Sequence, residues 1–214
     1  MYKRQVTDVY IEDAQQSIVA PMAASTYAAS KSGSWIKASN GKWWYKHSDG
    51  TYTKNDWEYI DGYWYHFDSN GYMQISWQMI SGKQYHFNAQ GHMDTGWKCI
   101  ADDWYYFGSD GEMRLSWHKI DGKWYHFNAE GHMDTGWKYI ADYWYYFGSD
   151  GEMRLSWHKI DGEYYHFDAN GHMDIGWHYI GNGWYYLEDN GKMRTAKLAQ
   201  GSRTCLLYTS DAAD

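Results

Sequence analysis

The side chains best suited to chemistry in this sequence are its aromatics, 15 Trp and 23 Tyr against only 6 Phe in 214 residues. An indole or phenol presents a flat apolar face with a polar edge, which suits stacking on a ligand or holding a cation. A core built only to exclude water would draw on Leu, Ile and Val instead, so the composition points to a binding surface. Histidines raise metal or proton-transfer chemistry, but His66, His86, His126 and His166, and equally His92, His132 and His172, recur at regular intervals. None of those spacings gives the dense ligand set that zinc needs, and the histidines read as solvated or packing residues. Cys99 occupies a place held by Tyr59, Met79, Lys119 and Tyr139 in sister segments, without the base and orienting partner of an activated nucleophile. Asp and Glu recur at turns rather than as an isolated pair for glycoside hydrolysis. No catalytic site, metal or cofactor is expected.

The spacing of the aromatics shows what must position them. Trp recurs at 57, 77, 97, 117, 137, 157 and 177, Gly at 71, 91, 111, 131, 151, 171 and 191, and Met two residues after each of those glycines, a period of 20 residues. Such self-similarity marks a repeat architecture. A second period of 40 overlies the first: GHMDTGWK at 91 returns at 131, GEMRLSWHKI at 111 returns at 151, and only six positions differ between 91–130 and 131–170.

Each repeat reads as a hairpin, with a short strand Trp117 to Ile120, a turn at Asp121-Gly122 and a second strand Trp124 to Phe127. Asp-Gly between aromatic and β-branched runs is a strong hairpin signal, because a two-residue turn needs positive φ. Asp61-Gly62, Ser81-Gly82, Asp161-Gly162 and Asn182-Gly183 repeat it. A lone hairpin is marginal in water, so each must stack on its neighbours. The expected fold class is all-β, a β-solenoid of stacked β-hairpins with an approximately 20-residue repeat and stability shared between repeats. Met73, Met93, their equivalents and the Phe positions are expected to form the shared core. Strand alternation puts Trp104 and Tyr106 on one face and Tyr105 and Phe107 on the other, so adjacent aromatics serve grooves with the preceding and the following repeat.

Residues 6–34 carry no repeat and end in AASTYAASKSGS, the composition of a flexible linker. They are expected to be a linker or the tail of an upstream domain, and 35–204 the repeat array. The ends differ in kind. MYKRQ at 1–5 and CLLYTSDAAD at 205–214, back-translated with GTG as the start, are largely reverse complements and resemble a transposase sequencing adapter read on both strands. Both are expected to be scars around a metagenomic fragment, set aside for fold reasoning. The net charge of −8 is unchanged without them, while Cys99 is left alone, so no internal disulfide is proposed. Lys and Arg do not cluster as a phosphate-binding face requires, which excludes nucleic acid as a partner; a cationic partner fits better. No apolar run approaches the roughly 20 residues that span a bilayer, so no membrane span is expected.

Phrases such as GKWWYKHSDGTYTKNDW and IADDWYYF are similar to the choline-binding repeats of pneumococcal-type autolysins and surface proteins, and the resemblance runs from about Trp35 to Thr195. It implies a solenoid in which choline sits between successive repeats, caged by three aromatics. By the family pattern these are the Trp that opens a repeat, the first aromatic of its second strand, and the Tyr after the equivalent aromatic one repeat later. The implied cages are Trp57, Trp64 and Tyr85; Trp97, Trp104 and Tyr125; Trp117, Trp124 and Tyr145; Trp137, Trp144 and Tyr165; Trp157, Tyr164 and Tyr185; and Trp35, Trp43 and Tyr65. In the set beginning at Trp77, Gln84 takes the aromatic position, so that site is expected to be weak or empty. Trp177 and Trp184 have no successor repeat.

A quaternary ammonium donates no hydrogen bond and is cheaply desolvated, so aromatic faces outcompete carboxylates for it at about 1 to 2 kcal/mol per contact. Single sites are then weak, and an array gains by avidity on a polymer bearing many cholines. The resemblance implies a secreted module on a bacterial cell surface, with choline on cell-wall teichoic or lipoteichoic acid as partner and a homodimer through terminal repeats. Glucan-binding repeats of streptococcal glucosyltransferases and the repeats of clostridial toxins share the period and the Tyr-Tyr-Phe strands. Trp at 64, 104, 124, 144 and 184 favours choline over those sugar-stacking relatives. A spacer stalk would not need Trp at both cage positions.

Overall fold

The computed structural model describes residues 32–194; both terminal stretches read as scars, and most of the linker, lie outside that range. The chain divides into two compact units, residues 1–114 and 115–214. The first holds β1 (Gly33–Lys37), β2 (Trp43–His47), β3 (Asp56–Ile60), β4 (Tyr63–Phe67), β5 (Ser76–Ile80), β6 (Lys83–Phe87), β7 (Gly96–Ile100) and β8 (Asp103–Phe107). The second holds β9 (Ser116–Ile120), β10 (Lys123–Phe127), β11 (Gly136–Ile140), β12 (Tyr143–Phe147), β13 (Ser156–Ile160), β14 (Glu163–Phe167), β15 (Gly176–Ile180) and β16 (Gly183–Leu187). Each consecutive pair forms its own two-stranded antiparallel sheet. The all-β architecture of hairpins repeating every 20 residues or so is as the sequence implies, and β1 starts at Gly33, inside the stretch read as linker.

Two-residue turns with positive φ at both positions fix the hairpin register: Asp61 and Gly62 have φ of 49° and 90°, Asp121 and Gly122 of 50° and 83°. Ala101-Asp102 and Ala141-Asp142 take the same left-handed path without any glycine, at φ of 52° and 70°, and 47° and 69°. The turn expected at Asn182-Gly183 is displaced. Ile180 pairs with Gly183, so the turn is Gly181-Asn182 and Gly183 opens the strand; positive φ falls at Gly181, at 61°.

Hairpins are tied along the chain by backbone as well as side chains. The N–H of Met93 donates to the carbonyl of Trp64 in the preceding hairpin at 2.9 Å, and Met153 does the same to Trp124 at 2.9 Å. The period-20 glycine is explained by what it leaves room for: a Cβ at Gly91 or Gly151, both at positive φ, would run into the sulfur of Met73 or Met133. Phe67, Phe87, Phe107, Phe127, Phe147 and Phe167 are fully buried, with Leu187 in that place in the last hairpin. The methionines that follow the period-20 glycines are only half-buried. The rest of the core comes from the Tyr two residues before each Phe, such as Tyr65 and Tyr145, and from Ile60, Ile120 and Ile160 at the strand ends.

Candidate functional site

Residues directly opposite in an antiparallel pair share a face. Trp117 lies opposite His126 and Lys119 opposite Trp124, so these four face one way, while Tyr125 and Phe127 face the other. The next hairpin turns its Tyr and Phe face towards them: the Trp117 ring lies 4.9 Å from Tyr145 and 5.6 Å from Phe147. Trp117 and Trp124 stand 6.4 Å apart with planes at 84°. Two indoles at a right angle, with a phenol against the first, make a three-walled corner. Its inner wall is buried, Tyr145 being 6% exposed, while Trp124 is half-buried.

The same corner recurs. Trp137 meets Trp144 at 6.4 Å and 82°, and Tyr165 at 4.8 Å. Trp57 lies 4.9 Å from Tyr85 and shares its face with Trp64. Trp157 lies 4.8 Å from Tyr185 and shares its face with Tyr164. Trp35 lies 4.9 Å from Tyr65, and its register puts Trp43 opposite Lys37, as Trp64 is opposite Tyr59. The Trp43 carbonyl also accepts the N–H of Met73 at 2.7 Å, the bond Trp64 makes with Met93. Trp97 and Trp104 form a corner at 6.4 Å and 77°; Tyr125 belongs to the second unit. Around Trp77 the Tyr105 wall is present at 4.9 Å, but Gln84 stands where the second indole would be. Trp177 and Trp184 share a face and are half exposed, at 50% and 52%.

The walls are electrically quiet. Burial pushes the Tyr85 and Tyr145 hydroxyls up to about 12, so these phenols stay neutral at any physiological pH. Histidines back the indoles: His66, His86, His126 and His166 each sit edge-on to the opening Trp at 4.9 Å. Their Nδ1 atoms are held in turn, His86 by Asp94, His126 by Asp134 and His166 by Asp174, all at 2.6 Å. His66 instead meets Gln74, and burial lowers its pKa from the usual histidine value. Among the described residues no group of three His, Cys, Asp or Glu side chains comes together to hold a metal, and Cys99 is exposed and free.

Sequence reasoning gave no role to the residue opposite the second aromatic of each corner. Tyr59 and Tyr139 each lie 5.2 Å from that indole, while Lys119 reaches over the Trp124 ring. The signal was available: a two-residue turn makes the residue two after the opening Trp the direct partner of that aromatic.

A choline-binding repeat model matches residues 75–116, 115–155 and 155–198, and a cell wall binding repeat model matches residues 55–73. The chain belongs to the choline-binding repeat family. Among solved structures, choline binding protein F of Streptococcus pneumoniae is similar with a TM-score of 0.69 and 26% identity, over 81% of this chain and 68% of its own. The choline-binding domain of CbpL from the same organism gives 0.57 and 26%, over 77% and 87%. The modular autolysin LytC, also pneumococcal, gives 0.50 and 30% over 77% of this chain and 39% of its own. A comparison with curated protein sequences gives no match. This choline-binding module is thus a cell-wall-binding array of aromatic clusters, its matched repeats are non-catalytic, and its family associates with the cell surface.

Proposed function

We propose that this choline-binding module is secreted and anchors an attached domain to choline residues of bacterial teichoic or lipoteichoic acids, through several weak cages acting together. The observation that carries the reading is the recurrent corner of two perpendicular indoles and a neutral phenol at Trp117, Trp124 and Tyr145 and again at Trp137, Trp144 and Tyr165. Such a corner offers electron-rich faces to a cation and no carboxylate to prefer a hydrated one. One cage holds choline weakly, and an array on a polymer of many cholines converts later contacts into intramolecular ones. The attached domain, a cell-wall hydrolase or an adhesin, and dimerisation through terminal repeats belong to the same proposal.

The test is retention on a choline or diethylaminoethyl resin. The module should be retained and released by free choline. Retention on dextran with no hold on either resin would replace this reading with the glucan-binding one.

A further inference from the structure

The cages differ most at the residue opposite the second aromatic. Lys37 Nζ lies 5.8 Å from the centre of the Trp43 ring, Lys119 Nζ 6.0 Å from Trp124 and Lys159 Nζ 5.3 Å from Tyr164. At the same register position Tyr59 stands 5.2 Å from Trp64 and Tyr139 5.2 Å from Trp144. Cross-strand partners share a face, so each lysine stands on the face that carries its cage. All three are exposed. Among the described residues none of the three is in an ion pair, whereas Lys98 and Lys138 are held by Asp94 at 3.0 Å and Asp134 at 2.8 Å. Beside Tyr59 and Trp64, a hollow of about 510 Å³ is bordered by Lys98, but there the charge is already neutralised by Asp94.

A lysine over an aromatic wall repels a second, bare cation on that wall. The balance reverses when the arriving cation carries an anion. Choline has a single hydroxyl as its attachment point, so on a phosphodiester polymer its ammonium is followed, after two carbons and an oxygen, by a phosphate. An ammonium seated on Trp124 brings that phosphate within reach of an unpaired Nζ over the same ring, where a charge-assisted hydrogen bond can form. A tyrosine in that place offers a further aromatic wall and no charge.

We propose that the cages form two chemical classes, which rests on reading the aromatic triples as choline cages: those bearing Lys37, Lys119 or Lys159 recognise the phosphate ester of choline and disfavour free choline, while those bearing Tyr59 or Tyr139 enclose the ammonium and ignore the phosphate. The lysines are then specificity residues, and the array reads both the charge and its attachment.

The experiment is calorimetric titration of the whole chain with phosphocholine and with choline, each at low and raised salt. It compares wild type with the triple variant Lys37→Met, Lys119→Met, Lys159→Met and with Tyr139→Lys. The methionines keep the aliphatic stem at exposed positions, and circular dichroism checks that the fold is kept. Removing the lysines should weaken phosphocholine at those sites by about 1.5- to 5-fold, the range of an exposed ion pair, while choline binding holds or tightens. The salt sensitivity of phosphocholine binding should fall with it. Tyr139→Lys should raise the phosphocholine-to-choline preference. A wild type that binds both ligands and a triple variant with the same preference would overturn the two-class proposal alone. A wild type that binds neither overturns the cage reading, and this proposal with it.

Discussion

The corner at Trp77 and the corner at Trp117 are built on the same frame and differ in one wall. In both, the opening indole lies 4.9 Å from the Tyr of the next hairpin and under 6 Å from its Phe, at 5.7 and 5.6 Å. In both, the backbone carbonyl of the second-wall residue accepts a methionine N–H at 2.9 Å, whether that residue is Gln84 or Trp124. The frame therefore does not depend on the side chain that completes the cage. Packing is carried by Phe, the inner Tyr and the Gly-Met contact; ligand capacity is added on the solvent side. An array organised this way can lose or regain a single site without refolding.

The largest predicted effect attacks the frame. Phe107→Ala and Phe147→Ala each empty a fully buried ring position behind an opening Trp, and should cost about 3–5 kcal/mol alike, although only Phe147 stands behind a complete corner. Thermal melts followed by near-ultraviolet circular dichroism read this directly. A much smaller loss for Phe107→Ala would mean that the second indole contributes to the frame after all.

A reciprocal pair of variants sharpens the same contrast. Trp124→Gln copies the incomplete site and should remove one choline equivalent, with a stability change within about 1 kcal/mol, since the residue is only half-buried and its backbone bond survives. Gln84→Trp should add one equivalent. Calorimetric stoichiometry counts both; an unchanged count in either variant would show that the second wall is not what decides occupancy.

Most of the frame was legible in the sequence because its determinants are strictly periodic. Trp57 to Trp177, the glycines and the methionines mark every repeat after the first, and Asp-Gly turns fix the pairing. Legibility ended where a residue type does not announce its geometry. Ala101-Asp102 and Ala141-Asp142 turn without glycine, since flanking cross-strand pairs impose the path on residues that would not choose it. Gly181-Asn182 displaced the expected turn because two glycines two positions apart, Gly181 and Gly183, flank Asn182 and only register chooses between the possible pairs. The opening Trp and the inner Tyr of five implied cages lie within 5 Å of each other, ring centre to ring centre. The role of Lys119 and Tyr139 was hidden because residues at that position vary from repeat to repeat, and only cross-strand pairing gives them a common place.

The smallest predicted effect compares two histidines behind neighbouring indoles. His86 lies against Trp77 with the Asp94 carboxylate on its Nδ1, whereas His66 lies against Trp57 with only the Gln74 amide oxygen there. The Gln74 hydrogen bond offsets only part of the cost of burying an imidazolium, and burial holds the His66 pKa below the 6.5 of a free histidine. The sign follows from proton counting. As pH falls through 6.5 towards the depressed folded value, the unfolded chain takes up a proton that the folded chain refuses, so stability falls; above 6.5 both forms are neutral and the residue is silent. Melting of the wild type should therefore shift down as pH falls from 7 to 5, and His66→Gln should remove part of that slope without altering stability at pH 8 by the same means. Gln74→Asp would give His66 the carboxylate that His86 already has, and should raise the His66 pKa and flatten the slope. A pH slope identical in wild type and His66→Gln would show that the ring opens to water on protonation, and that the indole of the Trp57 cage is not held by a neutral histidine.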